Sequence, residues 1–161
     1  MYRTLKSKRM LAATLVLVAA LIAVGAALAT ATVLVENAIT VNRGTFKSDH
    51  GLIKLKTRGP VRMRDVSNTA VPPGIVANWH THPGPVIVAM TDSTLGTLTF
   101  YDEDCDVLAT IQHGQSFIEK PNEPVFVRNN STSNVDWVTT MIMPPGAPHT
   151  VFLNPPPPPC T

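Results

Sequence analysis

Ile53 and Leu55 alternate with Lys54 and Lys56, and Val61 and Met63 alternate with Arg62 and Arg64. This is the period-two pattern of strands that bury one face, and Gly59-Pro60 lies between the two as a turn. The same pattern predicts further strands over Ile75–His82, Val86–Met90, Gly96–Tyr101, Val107–Gln112, Ser116–Glu119, Val125–Arg128, Trp137–Met143 and His149–Leu153. Between them stand Pro83-Gly84-Pro85, Asp92–Thr94, Asp102–Asp106, His113-Gly114, Pro121–Pro124, Asn129–Asn134 and Pro144-Pro145-Gly146, all turn chemistry. Strands recurring about every 8–12 residues between such breaks predict an all-β domain of the sandwich, jelly-roll or small-barrel kind. No long stretch with apolar residues at helical spacing follows the N-terminal region, and no internal domain boundary shows.

The N-terminal region has a different pattern. Arg3, Lys6, Lys8 and Arg9 precede a run from Leu11 to Val35 that carries no charge and is rich in Ala, Val and Leu. A basic start followed by an apolar run is an export signal, and Ala27, Ala29 and Ala31 offer A-x-A cleavage sites after Ala29 or Ala31. The run is also long enough to span a bilayer as an uncleaved anchor helix, since about 20 apolar residues suffice. Both outcomes place the chain from about residue 36 onward outside the cytoplasm, with the membrane touched only through an uncleaved N-terminal segment.

That compartment gives the 2 cysteines a meaning. Oxidising surroundings permit disulfides, and an even pair is the minimum that forms one, so a Cys105–Cys160 bridge is expected, the alternative being two free thiols. The bridge would fasten Pro155–Pro159, five prolines that lack backbone donors and read as extended polyproline II rather than as a strand.

Charge excludes one class of partner. The chain of 161 residues has 13 basic and 11 acidic residues, but four of the basic ones lie in the leader, which leaves the remainder at net −2. Without a basic patch on the folded domain, nucleic-acid binding is not expected.

The stretch Gly74-Ile75-Val76-Ala77-Asn78-Trp79-His80-Thr81-His82-Pro83-Gly84-Pro85 carries the most chemistry. On a strand, positions i and i+2 share a face, so His80 and His82 would turn both imidazoles the same way, close enough to share one divalent metal, with Trp79 and Thr81 facing the other way. Two ordinary strand histidines, hydrogen-bonded to their surroundings, are the alternative.

Gly-x5-His-x-His followed by a Pro-Gly turn resembles the first sequence motif of the cupin superfamily. With Gly96–Asp102, Gly114–Phe117, Val127–Asn129 and Pro144–Pro148, the chain resembles the small exported cupin-domain proteins of actinobacteria over about Arg43 to Cys160. The resemblance implies a jelly-roll barrel with its histidines facing inward, usually around a metal, and no single agreed activity. It divides the chain into a signal peptide or anchor at 1–31, a linker at 32–42, a cupin-like barrel at 43–154 and a proline-rich tail at 155–161. Barrels of this kind often pair, so a homodimer is compatible with it.

The sequence departs from that pattern at the ligands. Where the family commonly places a glutamate four or five residues after the second histidine, Val86 and Ile87 stand; where it places a further histidine ahead of the strand-ending Asn, Val125 or Phe126 stands. Two side chains hold a metal weakly, because catalytic sites ordinarily supply three protein ligands. Glu119 and Glu123 would reach the site only with a shifted register; His113 sits before a turn, and His149 and His50 read as surface residues. The cluster Asp102, Glu103, Asp104 and Asp106 lacks the spacing of a calcium loop and reads as a hairpin tip.

The expected function is therefore a barrel that binds a small molecule, or weakly a divalent metal (Fe, Mn or Zn), at a reduced site. Its pocket is expected to be lined by residues such as Val88, Phe117, Phe126 and Trp137. A metal-dependent dioxygenase or isomerase using His80 and His82 is the first alternative, and a cell-envelope structural or interaction protein the second.

Overall fold

The computed structural model describes residues 29–40, 44–47, 54–91 and 95–160. Its strands follow the alternation in the sequence. In Val86–Met90 and Val135–Met143 every second residue is buried, because each strand turns Val, Met, Trp or, once, Thr139 inward and shows the intervening residues to the outer face. In chain order the strands are β1 (Thr30–Thr40), β2 (Gly44–Lys47), β3 (Lys54–Thr57), β4 (Val61–Val71), β5 (Gly74–Thr81), β6 (Val86–Met90), β7 (Leu98–Tyr101), β8 (Val107–Ile111), β9 (Ser116–Glu119), β10 (Val125–Asn129), β11 (Val135–Met143) and β12 (Val151–Phe152).

Two five-stranded sheets, β1-β4-β11-β6-β9 and β12-β5-β10-β7-β8, are antiparallel throughout, and β2-β3 forms a separate hairpin. From β4 to β12 the chain crosses from one sheet to the other at nearly every turn, the connectivity of a jelly roll. The main core lies between the sheets and includes Val86, Val88, Leu98, Phe100, Trp137 and Met141. Each such side chain taken out of water contributes about 1.5–3 kcal/mol. A second cluster of Trp79, Tyr101, Phe126 and Cys160 packs on the outer face of the second sheet, since Phe126 alternates with Val125 and Val127 of the main core.

The proline-rich tail crosses that outer face. Trp79 Nε1 donates to the Pro158 carbonyl at 3.0 Å, and Arg128 Nη1 donates to the Cys160 carbonyl at 3.3 Å. Cys105 and Cys160 are joined with an S–S distance of 2.07 Å across a sequence separation of 55. The expected pair thus lies at disulfide distance, and Cys160 is buried within the second cluster.

Two elements differ from the sequence reading. The segment 32–42, expected as a linker, instead carries most of β1, which pairs with β4 from Thr30↔Thr69 to Thr40↔Val61, so the first sheet begins ahead of residue 43. Its signal was hidden because Val33, Leu34 and Val35 continue the apolar run of the leader; as an edge strand β1 leaves all three exposed. Strand β4 likewise runs on to Val71 through the polar stretch Asp65–Thr69, held between β1 and β11. The expected signal or anchor helix falls mainly on residues 1–28, outside the described residues, among which no helix is long and apolar enough to cross a membrane.

Candidate metal centre

His80 lies near the end of β5 and His82 just beyond it, and both rings point into the barrel, 4.8 Å apart between centroids and at 84° to one another. The residues between and beside them face away: Trp79 packs on Phe126 at 5.4 Å in the outer cluster. The backbone then turns at Pro83-Gly84-Pro85 into β6, where Gly84 passes so close to Ile142 that a Cβ would sit 1.9 Å from its carbonyl oxygen.

Backbone carbonyls fix both imidazoles. His80 Nδ1 donates to the Asn78 carbonyl at 2.7 Å, and His82 Nδ1 donates to the His149 carbonyl. A carbonyl only accepts, so the proton of each neutral ring resides on Nδ1, and each Nε2 turns a lone pair toward the barrel interior. Metal-ligating histidines are commonly oriented in this way.

The third member comes from β9. Along Ser116–Glu119 the side chains alternate, with Ser116 and Ile118 outside and Phe117 and Glu119 inside. The β6–β9 pairing sets Glu119 opposite Val86. Its Oε2 lies 3.0 Å from His82 Nε2 and 3.9 Å from His80 Nε2, and all three side chains are buried. With both Nε2 atoms unprotonated, the buried Glu119 Oε2 has no hydrogen-bond donor. One ligand atom from each of His80, His82 and Glu119 falls within 4.8 Å of the others, the span of a single cation's coordination sphere.

The carboxylate divides the two imidazoles electrostatically. Burial alone lowers the pKa of both. At His82 it is outweighed by the adjacent Glu119 carboxylate and the His149 carbonyl, so the value is raised above its ordinary range. At His80 burial prevails over the Asn78 carbonyl and the more distant Glu119, and the value is lowered.

Above this group opens a cavity of about 220 Å³, walled by Val76, Val88, Leu98, Trp137, Met141 and Phe152 among others. Of the residues expected in its wall, Val88 and Trp137 are present. Phe117 instead stacks on Phe100 at 4.6 Å and lines a neighbouring cavity, and Phe126 faces the outer cluster because β10 turns it to the opposite side from Val125 and Val127.

The remaining candidates separate. Glu123 is exposed and pairs with Lys120 at 3.0 Å. His113 is exposed in a turn, and His50 lies outside the described residues. The His149 side chain is exposed as expected, but its carbonyl is the partner of His82. Asp102 Oδ1 accepts from the backbone N–H of Asp104 and of Asp106, so the acidic cluster caps its own hairpin tip. The expectation that the site holds no carboxylate is corrected. Glu119 supplies it from another strand, and its only trace in the sequence is the shared parity of Phe117 and Glu119, which the exposed Ile118 obscures.

No family model and no curated protein matches the chain. Among solved structures it is similar to a cupin domain from Bordetella pertussis Tohama I, with 18% identity over 72% of this chain and 94% of that one and a TM-score of 0.47. It is similar to a cupin-like protein from Thermotoga maritima, with 15% identity over 78% and 75% of the two chains and a TM-score of 0.48. It is also similar to a polyketide cyclase from Streptomyces resistomycificus, with 13% identity over 61% and 74% and a TM-score of 0.45.

Proposed function

We propose that the chain is an extracytoplasmic, cupin-like barrel that works on a small, largely apolar molecule with a divalent first-row metal held by His80, His82 and Glu119. One observation carries this reading: the buried Glu119 Oε2 has no hydrogen-bond partner and faces two imidazoles whose Nε2 lone pairs are turned toward it. Buried polar atoms are ordinarily satisfied, and a cation between the three donors satisfies all of them at once. Two imidazoles and a carboxylate suit iron, manganese or zinc.

Three protein donors leave coordination positions for a ligand, which favours a metal-dependent reaction, of the dioxygenase or isomerase kind, over static binding. When bound, such a metal would polarise an oxygen of the small molecule or exchange electrons with it. The chain's own residues do the rest. The Asn78 and His149 carbonyls hold the imidazoles in the ligating tautomer, and the apolar wall limits water around the group. The apolar leader and the Cys105–Cys160 pair support the extracytoplasmic placement.

Metal analysis by mass spectrometry tests this, on the protein purified from its own secretion or membrane fraction without chelator or affinity histidines. Near-stoichiometric iron, manganese or zinc is expected, lost in His80→Ala/His82→Ala and sharply reduced in Glu119→Gln. Negligible metal in the folded wild type, or metal retained by both variants, would overturn it.

A further inference from the structure

Besides Thr150, whose hydroxyl meets His149 Nδ1 at 3.3 Å, the cavity wall contains two polar groups that the metal centre does not use. Thr139 is buried in the middle of β11 and accepts a hydrogen bond from Trp137 Nε1 at 3.1 Å. Its own hydroxyl proton then needs another acceptor, and among the described residues none is present. Asn68 of β4 also lines the cavity, and its amide makes no hydrogen bond among the described residues. Both are therefore unspent toward the space that a ligand would occupy.

Strand register gives their position relative to the metal centre. Met141, Val86 and Glu119 form one rung across β11, β6 and β9; Thr139, Val88 and Phe117 form the next; Asn68, Trp137 and Met90 form the one beyond. Successive rungs on one face are two residues apart, about 7 Å. Along this sheet, then, the carboxylate stands at one end of an apolar stretch, and a hydroxyl donor and an amide stand at the other.

The charge of the wall narrows the choice. No lysine or arginine lines the cavity. An anionic group beside the buried Thr139 would have no cation to pair with in the cavity wall, which is unfavourable, whereas a carbonyl or hydroxyl oxygen would be satisfied by Thr139 and the half-buried Asn68. The volume of about 220 Å³ lies below the roughly 300–1,000 Å³ of sites for drug-sized molecules, so the ligand is smaller still.

We infer that Asn68 and Thr139 are specificity-determining residues, and that the cavity takes an uncharged, compact, mainly hydrocarbon molecule with a carbonyl or hydroxyl oxygen that these two side chains bind. The inference rests on the proposed metal site only for which end of the molecule is presented to His80, His82 and Glu119.

Fluorine NMR titrations at pH 8 test it with three probes of matched size: para-fluoroacetophenone, para-fluoroethylbenzene and para-fluorobenzoate. The protein is first stripped of metal by chelator, so that a preference for oxygen cannot arise from a metal, and metal content is measured separately on unstripped samples. The ketone is expected to bind about five- to tenfold tighter than the hydrocarbon, the effect of one neutral hydrogen bond, and tighter than the benzoate. Asn68→Leu and Thr139→Val should each bring the ketone-to-hydrocarbon ratio close to one with hydrocarbon binding kept, and Thr139→Ser should restore it. An unchanged ratio in both variants, benzoate binding equal to the ketone, or no probe bound by the wild type would overturn the inference. A failed metal site with the ketone preference intact would overturn only the proposed function.

Discussion

Glu119 is the cross-strand partner of Val86, and from that position its Oε2 ends 3.0 Å from His82 Nε2. The pairing delivers a carboxylate to the interior from β9 while β6 stays apolar at the same rung. While both imidazoles are neutral they turn lone pairs toward the buried Oε2, a local electrostatic cost that protonation of His82 relieves and a bound cation removes.

Glu119→Gln should therefore separate stability from metal affinity. At pH 8 and without metal, the variant is expected to be as stable as the wild type or up to about 1–3 kcal/mol more stable, since wherever His82 is neutral a buried carboxylate without a donor is gone. With zinc or manganese at about a hundredfold over its dissociation constant, the wild type should gain about 2.7 kcal/mol and the variant little. Thermal unfolding with and without the metal reads both effects. Equal stabilisation of the two proteins by metal would remove Glu119 from the site.

The two histidines impose opposite pH dependences on the metal-free protein. His82 binds its proton more tightly in the fold than in the unfolded chain, so its contribution is fully present below the ordinary value of 6.5 and is lost as pH rises through the raised folded value. His80 is depressed by burial, so its contribution is present above 6.5 and is lost as pH falls through the lowered folded value. Their sum predicts a stability maximum near pH 6.5, with the falling alkaline limb absent in His82→Gln and the falling acid limb reduced in His80→Gln, where His149, also lowered by burial and by Arg64, still contributes. Chemical denaturation from pH 5 to pH 9 measures this; identical profiles in wild type and variants would contradict it.

How much of this was legible in the sequence depended on whether the signal was local. The alternation in Val86–Met90 and Trp137–Met143 reported strand and face together, and the spacing of His80 and His82 placed both rings on one side, as found. Strand β1 was not legible, because Val33–Val35 belongs to the same apolar run as the leader and its pairing with β4 depends on residues distant in the chain. The place of Glu119 beside the two imidazoles was not legible for a related reason. Whether an inward carboxylate reaches a particular histidine is set by the β6–β9 register and by the packing of two sheets, and no local period encodes either. The resemblance to cupins directed attention to Val86 and Ile87, whereas the inward carboxylate of this chain stands on β9, one strand across from Val86.

Gly84 is constrained by its neighbours and not by its backbone angles. A Cβ there would lie 1.9 Å from the Ile142 carbonyl oxygen and 3.1 Å from Met143 Cα, all backbone, and Ile142 N–H donates to the Pro85 carbonyl at 3.0 Å beside it. Gly84→Ala must push β11 away from the turn that follows His82. A loss of about 1–3 kcal/mol or more is expected, together with weaker metal binding. Gly59, in the turn before β4, has nothing within 4 Å of a Cβ, so Gly59→Ala should stay within about 0.5 kcal/mol of the wild type. Urea unfolding of the pair provides the comparison, and equal effects would show that the contact at Gly84 is relieved at no cost.

The Cys105–Cys160 bond closes a loop of 55 residues, and releasing it by Cys105→Ser is expected to cost about 4 kcal/mol on the chain-entropy account. The loss should extend to the metal centre, because the segment that the bond fastens is the same one that supports the histidines. Leu153 N–H donates to the Trp79 carbonyl at 3.0 Å, Phe152 pairs with His80, and the His149 carbonyl holds His82. Groups that orient metal ligands commonly account for ten- to a hundredfold in affinity, so a drop of about that size is expected in Cys105→Ser and in the wild type under reductant. Competition with a chromogenic zinc chelator measures it, with circular dichroism to confirm that the sheets persist. Unchanged affinity in a protein that has lost the expected stability would show that β12 stays seated on β5 without the bond, and that the tail fastens the outer cluster alone.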